Sequence, residues 1–294
     1  MTVPTPEAWQ AGGSHFQHRG HEIFFRDSEP GSVKPALLLI HGFPTASWDW
    51  HAVWDALAMN FRLLAPDLIG FGFSAKPADY TYSIHDQANL CAALCGRQGL
   101  GWVHVLAHDY GVSVAQELLA RQQAGEGALR LNSIVFLNGG LFPETHRPRL
   151  VQKLLLSPLG PLVARLSDEA KFSRSFAAVF GANSQPGEAE LRAFWQLIAY
   201  NDGNRIMHKL IRYILDRRQQ RERWLVAMQA TSVPLHLING PDDPVSGAHM
   251  VARYRELIPK PSVTSLPGIG HYPQVEAAQQ TLVAYLSFVK SRCQ

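Results

Sequence analysis

Residues 102–111 read Trp-Val-His-Val-Leu-Ala-His-Asp-Tyr-Gly. The apolar run, typical of a buried strand, stops at Ala107, and helical spacing of apolar residues begins after Gly111. The frame of a nucleophile elbow, a small residue, any residue, the nucleophile, any residue and glycine, fits this stretch with Asp109 in the place of the nucleophile. The pattern predicts a strand, a tight turn and a helix. A carboxylate at the turn favours an alkyl-enzyme ester over the acyl-enzyme of a serine enzyme.

Apolar strand patterns alternate with helical patterns on both sides of this stretch. Such alternation predicts an α/β fold, a mostly parallel sheet covered by helices on both faces. The predicted strands are 21–27, 35–41, 61–66, 102–107, 133–137, 234–240 and 262–266.

The alternation is interrupted between residues 141 and 225. This part has helical patches but no convincing strand pattern, and it is broken by prolines at 143, 148, 158, 161 and 186. We therefore predict a core formed by residues 1–140 and 226–294, with a helical cap, residues 141–225, inserted between two strands of its sheet.

Two later loops offer a base and an acid for Asp109. His271 follows the last predicted strand, at the carboxyl end of the sheet, where ligands bind in open α/β sheets. Asp242 and Asp243 follow the strand before it, and a carboxylate there can accept the Nδ1 proton of the histidine. Asp243 is preferred for its spacing from Gly240, and Asp242 is the alternative. The chain order nucleophile, acid, histidine is that of the α/β hydrolases.

Two backbone N–H groups are predicted to form the oxyanion hole. One belongs to Tyr110, directly after Asp109, and the other to Phe43, in the loop after the strand at 35–41. Gly42 allows that loop to approach closely.

Several motifs resemble the α/β-hydrolase branch that contains epoxide hydrolases and haloalkane dehalogenases, and more specifically the mesoderm-specific transcript protein family. The resemblance covers roughly residues 35–290 and implies the α/β-hydrolase fold and an Asp-His-Asp site, without fixing the natural substrate. The motifs are His-Gly-Phe-Pro (41–44), Asp-Leu-Ile-Gly-Phe-Gly-Phe-Ser (67–74), His-Asp-Tyr-Gly (108–111), Asn-Gly-Gly-Leu-Phe-Pro-Glu-Thr-His-Arg-Pro (138–148), Asn-Asp-Gly-Asn (201–204), Gly-Pro-Asp-Asp-Pro (240–244) and Gly-His-Tyr-Pro (270–273).

The resemblance makes an epoxide the first choice of substrate and an alkyl halide the second. Dehalogenases normally hold the halide with side-chain N–H donors next to the nucleophile and in the first loop, where this chain has Tyr110 and Phe43. Epoxide hydrolases use cap tyrosines as proton donors. The expected substrate-binding residues are Tyr213, Tyr200, Trp48 and His108.

Other interpretations of these residues stay open. Asp109 could be a structural residue of a non-catalytic, ligand-binding protein, and Ser113 imitates a serine elbow from a position inside the following helix. A lipid-associated hydrolase is a further alternative. It would use a basic stretch in the cap that is otherwise expected to be a solvated helix face: Arg205, Lys209, Arg212, Arg217, Arg218, Arg221 and Arg223.

Composition limits the class of protein. The 294 residues are 46% hydrophobic and 17% charged, with a formal net charge of +3, which gives no indication of a nucleic-acid partner. Cys91, Cys95 and Cys293 lack the spacing of a disulfide framework or metal site and are expected to be free thiols. No signal peptide or membrane span is predicted. We expect a cytoplasmic enzyme that needs no cofactor or metal and acts on a small apolar electrophile; contact with a membrane surface is a minor alternative.

Overall fold

The computed structural model describes residues 3–292 and contains one sheet of eight strands. The strands are β1 (Ser14–His18), β2 (His21–Asp27), β3 (Ala36–Ile40), β4 (Arg62–Pro66), β5 (Trp102–Ala107), β6 (Arg130–Phe136), β7 (Leu235–Asn239) and β8 (Val263–Ser265). Their spatial order is β1-β2-β4-β3-β5-β6-β7-β8. The pairs β1–β2 and β2–β4 are antiparallel and the others are parallel, which confirms the predicted fold class.

Helices connect the strands and complete the chain. They are α1 (Pro6–Ala11), α2 (His51–Ala58), α3 (Ile84–Arg97), α4 (Tyr110–Gln123), α5 (Leu150–Leu156), α6 (Gly160–Arg165), α7 (Glu169–Ala177), α8 (Glu188–Ala199), α9 (Met207–Leu210), α10 (Tyr213–Ala230), α11 (Ala248–Leu257), α12 (Pro273–Glu276) and α13 (Ala278–Arg292). Short 3₁₀ helices occupy Ser47–Trp50, Pro143–Thr145 and Tyr200–Ile206.

The core has two parts, one on each face of the sheet. All five residues of β3 are buried, and successive side chains of a strand point to opposite faces. Leu38 and Ile40 pack into one apolar cluster with α3, α4 and α10, whereas Leu37 and Leu39 pack into the other with α2 and α13. The central parallel strands are therefore apolar throughout, as strands covered on both faces must be.

The regular elements between β6 and β7 are all helices, α5 to α10 and two 3₁₀ helices, joined by loops. Helix α10 packs along α4 of the sheet region and continues to Ala230. The predicted boundary between cap and core, at residues 225 and 226, therefore falls inside one continuous helix. The division into a core of 1–140 and 226–294 and a cap of 141–225 remains a prediction.

Two of the cysteines lie in α3. Cys91 and Cys95 are buried and free, and Cys293 lies outside the described residues. In residues 3–292, no helix combines the length and the apolar character that crossing a bilayer requires.

Candidate active site

Asp109 occupies a strained turn between β5 and α4. Its φ is 42° and its ψ is −99°, a conformation that costs a non-glycine residue about 1–3 kcal/mol. Backbone hydrogen bonds hold the turn, since the N–H of Asp109 donates to the carbonyl of Asn138 at 2.9 Å and the N–H of Gly111 donates to that of His41 at 3.0 Å. The strain is thus maintained by the ends of three neighbouring strands.

Three glycines make room for this turn. A Cβ on Gly111 would lie 2.3 Å from the carbonyl oxygen of Ile40, and one on Gly42 would lie 2.6 Å from the His108 ring. A Cβ on Gly139 would lie 3.0 Å from the Cα of Asp109. Gly111 and Gly139 therefore permit a close approach of backbones, and Gly42 makes room for the His108 ring.

The carboxylate of Asp109 is buried but lines a cavity. The backbone N–H of Phe43 donates to its Oδ2 at 3.1 Å, as expected of one oxyanion-hole donor. Tyr110 is the first residue of α4, and its ring packs against Phe71 and Tyr213. The role of the Tyr110 N–H as the second donor remains a prediction.

His271 and Asp243 form a buried pair. The Nδ1 of His271 lies 2.7 Å from the Oδ2 of Asp243. The same carboxylate accepts hydrogen bonds from the Asn138 side chain at 2.9 Å, from the Val245 N–H at 2.7 Å and from the Ser246 hydroxyl at 2.7 Å. These donors fix its position and leave the Nε2 of His271 as the nitrogen that can serve a water molecule.

Of the two aspartates in this loop, only Asp243 contacts His271. Asp242 is exposed, whereas Asp243 is buried. The geometry therefore favours the preferred acid over its alternative.

The charges of this site act on one another strongly. Burial alone would lower the pKa of His271, but the charge and hydrogen bond of Asp243, together with the charge of Asp109, raise it to about 9. Burial alone would raise the pKa of Asp243, but the charge and hydrogen bond of His271 hold it well below its usual range. The resting pair is therefore an imidazolium and a carboxylate.

A cavity of about 380 Å³ opens above Asp109 and His271. Its walls come mostly from the apolar side chains of α5 to α8, with a few polar groups, as is usual for small-molecule sites. The apolar lining includes Phe43, Val151, Leu155, Val163, Leu166, Phe172, Phe176, Val179, Trp195 and Met207; the polar cap residues are Arg149, Gln152, Ser167, Lys171 and Ser175.

Two of the expected substrate-binding residues, Trp48 and His108, are buried next to the loops that form the site. Trp48 is fully buried against Phe194, and its indole N–H donates to the carbonyl of Pro4 at 3.0 Å. His108 is fully buried, and its Nε2 lies 2.8 Å from the carbonyl oxygen of His271. Neither residue lines the cavity in this structure, and their contact with substrate remains a prediction. Both instead pack beneath the loops that carry the site.

The cap tyrosines also lie away from the cavity lining. Tyr213 is buried behind Phe43 and Tyr110, at ring-centroid distances of 5.9 and 4.8 Å. Tyr200 packs edge-on against Phe73, with the Lys76 ammonium 5.0 Å above its ring. Packing turns both rings toward the core, and their roles as substrate contacts remain predictions.

Arg217 is the residue that the sequence interpretation placed incorrectly. It was expected on a solvated face of the cap, but it is fully buried and reaches the elbow from α10. Its Nη2 donates to the backbone carbonyl of Asp109 at 2.7 Å and lies 3.5 Å from its Oδ1, while its Nε donates to the Ser113 hydroxyl at 2.7 Å. The guanidinium also lies 4.4 Å above the ring of Tyr213. One cap arginine thus holds the elbow, its carboxylate and the following helix together.

Other members of the same basic stretch are held in ion pairs. Arg221 contacts Glu144 at 2.7 Å, and Arg223 contacts Glu117 and Glu126, each at 3.4 Å. Their charges stabilise intramolecular contacts, which leaves less charge for a binding surface. Within residues 3–292, no group of three or more His, Cys, Asp and Glu side chains is arranged to hold a metal ion.

The sheet order, the strained elbow and the loops that meet above it define a class of protein. Residues 35–278 match the family model of the alpha/beta hydrolase fold, and the chain belongs to this family.

Within the family, the chain is similar to the mesoderm-specific transcript homolog protein of Bos taurus, which confirms the resemblance inferred from the motifs. The two are 42% identical over 98% of this chain and 89% of the relative. The LipZ protein of Mycobacterium tuberculosis is 40% identical over 98% of this chain and 99% of its own. The structure of the haloalkane dehalogenase DbeA from Bradyrhizobium elkani superposes with a TM-score of 0.80 at 22% identity, covering 95% of this chain and 98% of DbeA, a likeness of fold alone.

Proposed function

We propose that this protein hydrolyses a small apolar electrophile through an ester on Asp109, with an epoxide as the first choice of substrate. The observation that carries the proposal is the carboxylate of Asp109 at the floor of an apolar cavity, beside the buried pair of His271 and Asp243. No cofactor is required by this chemistry. The cytoplasmic location expected from the sequence belongs to the same proposal.

The first step is displacement by Asp109. One carboxylate oxygen attacks an epoxide carbon, the ring C–O bond breaks, and its electron pair goes to the ring oxygen, which takes up a proton from water. The proton that His271 gives up as its pKa falls then neutralises the hydroxide that is left. In-line attack directs that oxygen away from Asp109 and toward the cap. The hydroxyl of Ser175 lines the cavity there, whereas that of Ser167 donates to the carbonyl of Ala164 at 2.6 Å and Tyr213 lies one layer behind the lining.

The second step is hydrolysis of the ester by water. Esterification removes the negative charge of Asp109, one of the causes that raise the pKa of His271, so the pKa of His271 falls and its Nε2 becomes a base. Nε2 then takes a proton from water, the oxygen attacks the carboxyl carbon of Asp109, and the N–H of Phe43 stabilises the oxyanion. The bond to the product oxygen breaks, and that oxygen takes the proton from His271. The carboxylic acid of Asp109 then gives its proton to His271, which restores the carboxylate and the imidazolium.

An alkyl halide is the second candidate, and Trp195 favours it. The indole N–H of Trp195, in α8 of the cap wall, is a donor without acceptor capacity, which suits a departing halide. A halide needs no proton, so this substrate would not depend on the Ser175 hydroxyl.

The test is to trap the ester. His271→Gln is incubated with a panel of epoxides and haloalkanes and examined by intact-protein mass spectrometry. The proposal predicts a mass increase equal to a whole epoxide, or to a haloalkane minus the hydrogen halide, that disappears in His271→Gln/Asp109→Asn. If the wild type consumes a substrate but no adduct forms on His271→Gln, the mechanism is wrong.

The same panel identifies a non-catalytic protein. Flat rates for every compound, with tight capture of an apolar ligand that Asp109→Ala leaves unchanged, would contradict the proposal and favour a ligand-binding role.

A further inference from the structure

The two short helices α5 and α6 are apolar on both of their surfaces. Their inner surface contributes Val151, Leu155 and Val163 to the cavity. Their outer surface carries large leucines that are between 38% and 72% exposed. We call these residues the outer leucine face: Leu150, Leu154, Leu159, Leu162 and Leu166.

Exposure of this kind is unusual for a helix in water. A helix that is apolar all round is normally buried in protein or in lipid, because water contact with so many aliphatic groups is unfavourable. Contiguous exposed apolar residues therefore indicate a surface that is covered during function.

The charges around the outer leucine face indicate what covers it. Residues 147–167 contain four basic residues and no acidic residue. The acidic residues that flank this segment are held in ion pairs, Glu144 with Arg221, Asp168 with Lys171 and Glu169 with Arg192. The basic residues are Arg147, Arg149, Lys153 and Arg165. Exposed leucines combined with lysine and arginine match the interfacial region of a bilayer that contains anionic lipids. A second copy of this chain fits less well, because a two-fold contact would bring these cations against one another.

The outer leucine face also adjoins the opening of the cavity. Leu166 is 59% exposed and at the same time lines the cavity. The neighbouring basic residues Arg149 and Lys171 line it too, and Lys171 is exposed. An apolar path therefore leads from this surface into the space above Asp109.

We propose that the hairpin of α5 and α6 lies in the headgroup region of an anionic bilayer and that an apolar substrate passes from the lipid, by way of Leu166, to Asp109. The docking part of the proposal stands on the surface alone, whereas the substrate path rests on the proposed function. The corresponding substrate class is an electrophile that carries a lipid-like chain.

The experiment measures binding of the full chain to vesicles of phosphatidylcholine, with and without phosphatidylglycerol. We expect binding to the mixed vesicles, weakened by added salt and by Arg147→Gln/Lys153→Gln. Leu159→Gln/Leu162→Gln should weaken binding by about tenfold or more, because two apolar anchors are lost. The matched control is Val226→Gln/Val283→Gln, whose side chains are 57% and 55% exposed on α10 and α13, against 59% and 54% for the leucines. It should bind as the wild type does.

Three results would overturn the docking proposal. The first is that the wild type does not bind the mixed vesicles, and the second is that Leu159→Gln/Leu162→Gln and its control lose vesicle binding equally. The third is that the wild type is a dimer in solution and that the leucine variant is a monomer. Asp109→Asn should bind vesicles as tightly as the wild type, since docking does not use the carboxylate. Vesicle binding without any ester would therefore contradict the proposed function and the substrate path but not docking. An ester without vesicle binding would contradict docking and the path but not the proposed function.

Discussion

The single residue Arg217 connects helix α10 to the elbow that carries Asp109. Its guanidinium contacts the carbonyl and the carboxylate of Asp109 and the hydroxyl of Ser113, all of them buried. Ser113, which imitates an elbow nucleophile in the sequence, therefore has a structural role as a hydrogen-bond partner of Arg217. Removing the arginine would leave buried acceptors, one of them charged, without their donor.

We expect Arg217→Met to lower the free energy of unfolding by about 3–5 kcal/mol, the range found when one partner of a buried ion pair is removed. The adjacent Arg218 is exposed, and Arg218→Met should change stability by less than about 0.5 kcal/mol. Denaturant unfolding of both variants measures the difference. Equal stabilities would contradict the role assigned to Arg217.

The charge of Asp109 should also affect the pKa of His271. Because that charge helps to raise the pKa of His271 to about 9, Asp109→Asn should lower this pKa. The matched variant Asp242→Asn removes an exposed carboxylate next to Asp243 and should leave the pKa of His271 unchanged. Histidine signals followed by NMR across a pH titration measure both. An unchanged pKa in Asp109→Asn would mean that the two groups are not coupled.

Some site residues were predictable because each lies in a short sequence motif, and others were not. Asp109, Asp243 and His271 each lie in a short motif at the end of a strand, so their meeting above the sheet followed from strand order. Arg217 has no such motif. Its position depends on which face of α10 packs against α4. The sequence does not indicate that face, because several other arginines surround Arg217.

At the scale of elements, the elbow depends on the contact between α4 and β3. Gly111 lies where the first turn of α4 passes the carbonyl of Ile40, and only hydrogen fits between them. Gly111→Ala should lower the free energy of unfolding by about 3 kcal/mol or more, because backbone on both sides prevents relief of the overlap.

Gly96 in α3 provides the matched substitution. A Cβ there would meet no atom within 4 Å, so Gly96→Ala should be neutral or stabilise by up to about 1 kcal/mol through its helix propensity. Thermal unfolding of the two variants provides the comparison. A Gly111→Ala variant as stable as Gly96→Ala would disprove the close-approach argument.

Elements with strong periodicity were predictable and others were not. Continuous apolar runs predicted β3 and β5, because only strands buried on both faces carry them. The short strand β1 has exposed residues at three of its five positions and gave no comparable pattern. The positions of Trp48 and Tyr200 outside the cavity lining were not predictable, because side-chain direction in a 3₁₀ segment depends on packing partners distant in sequence.

For the whole molecule, the site links stability to pH. The pKa of His271 is raised from an ordinary 6.5 to about 9 in the folded state, so protonation favours folding. This contribution is complete below pH 6.5 and is lost as the pH rises through about 9. The free energy of unfolding of the wild type relative to His271→Gln should therefore decrease across that interval. Parallel stability curves for the two proteins would contradict the raised pKa.

The two proposals place three features along one path: the exposed leucines of α5 and α6, an apolar cavity beneath them, and a carboxylate at the floor. The central claim concerns the last of these, that Asp109 becomes an ester and is released by water. Single turnover with excess enzyme in oxygen-18 water tests it most directly, with the peptide containing Asp109 analysed by mass spectrometry. We predict that the label enters Asp109 and that the product carries an unlabelled oxygen from the carboxylate. Label in the product alone, with none in Asp109, would contradict the account.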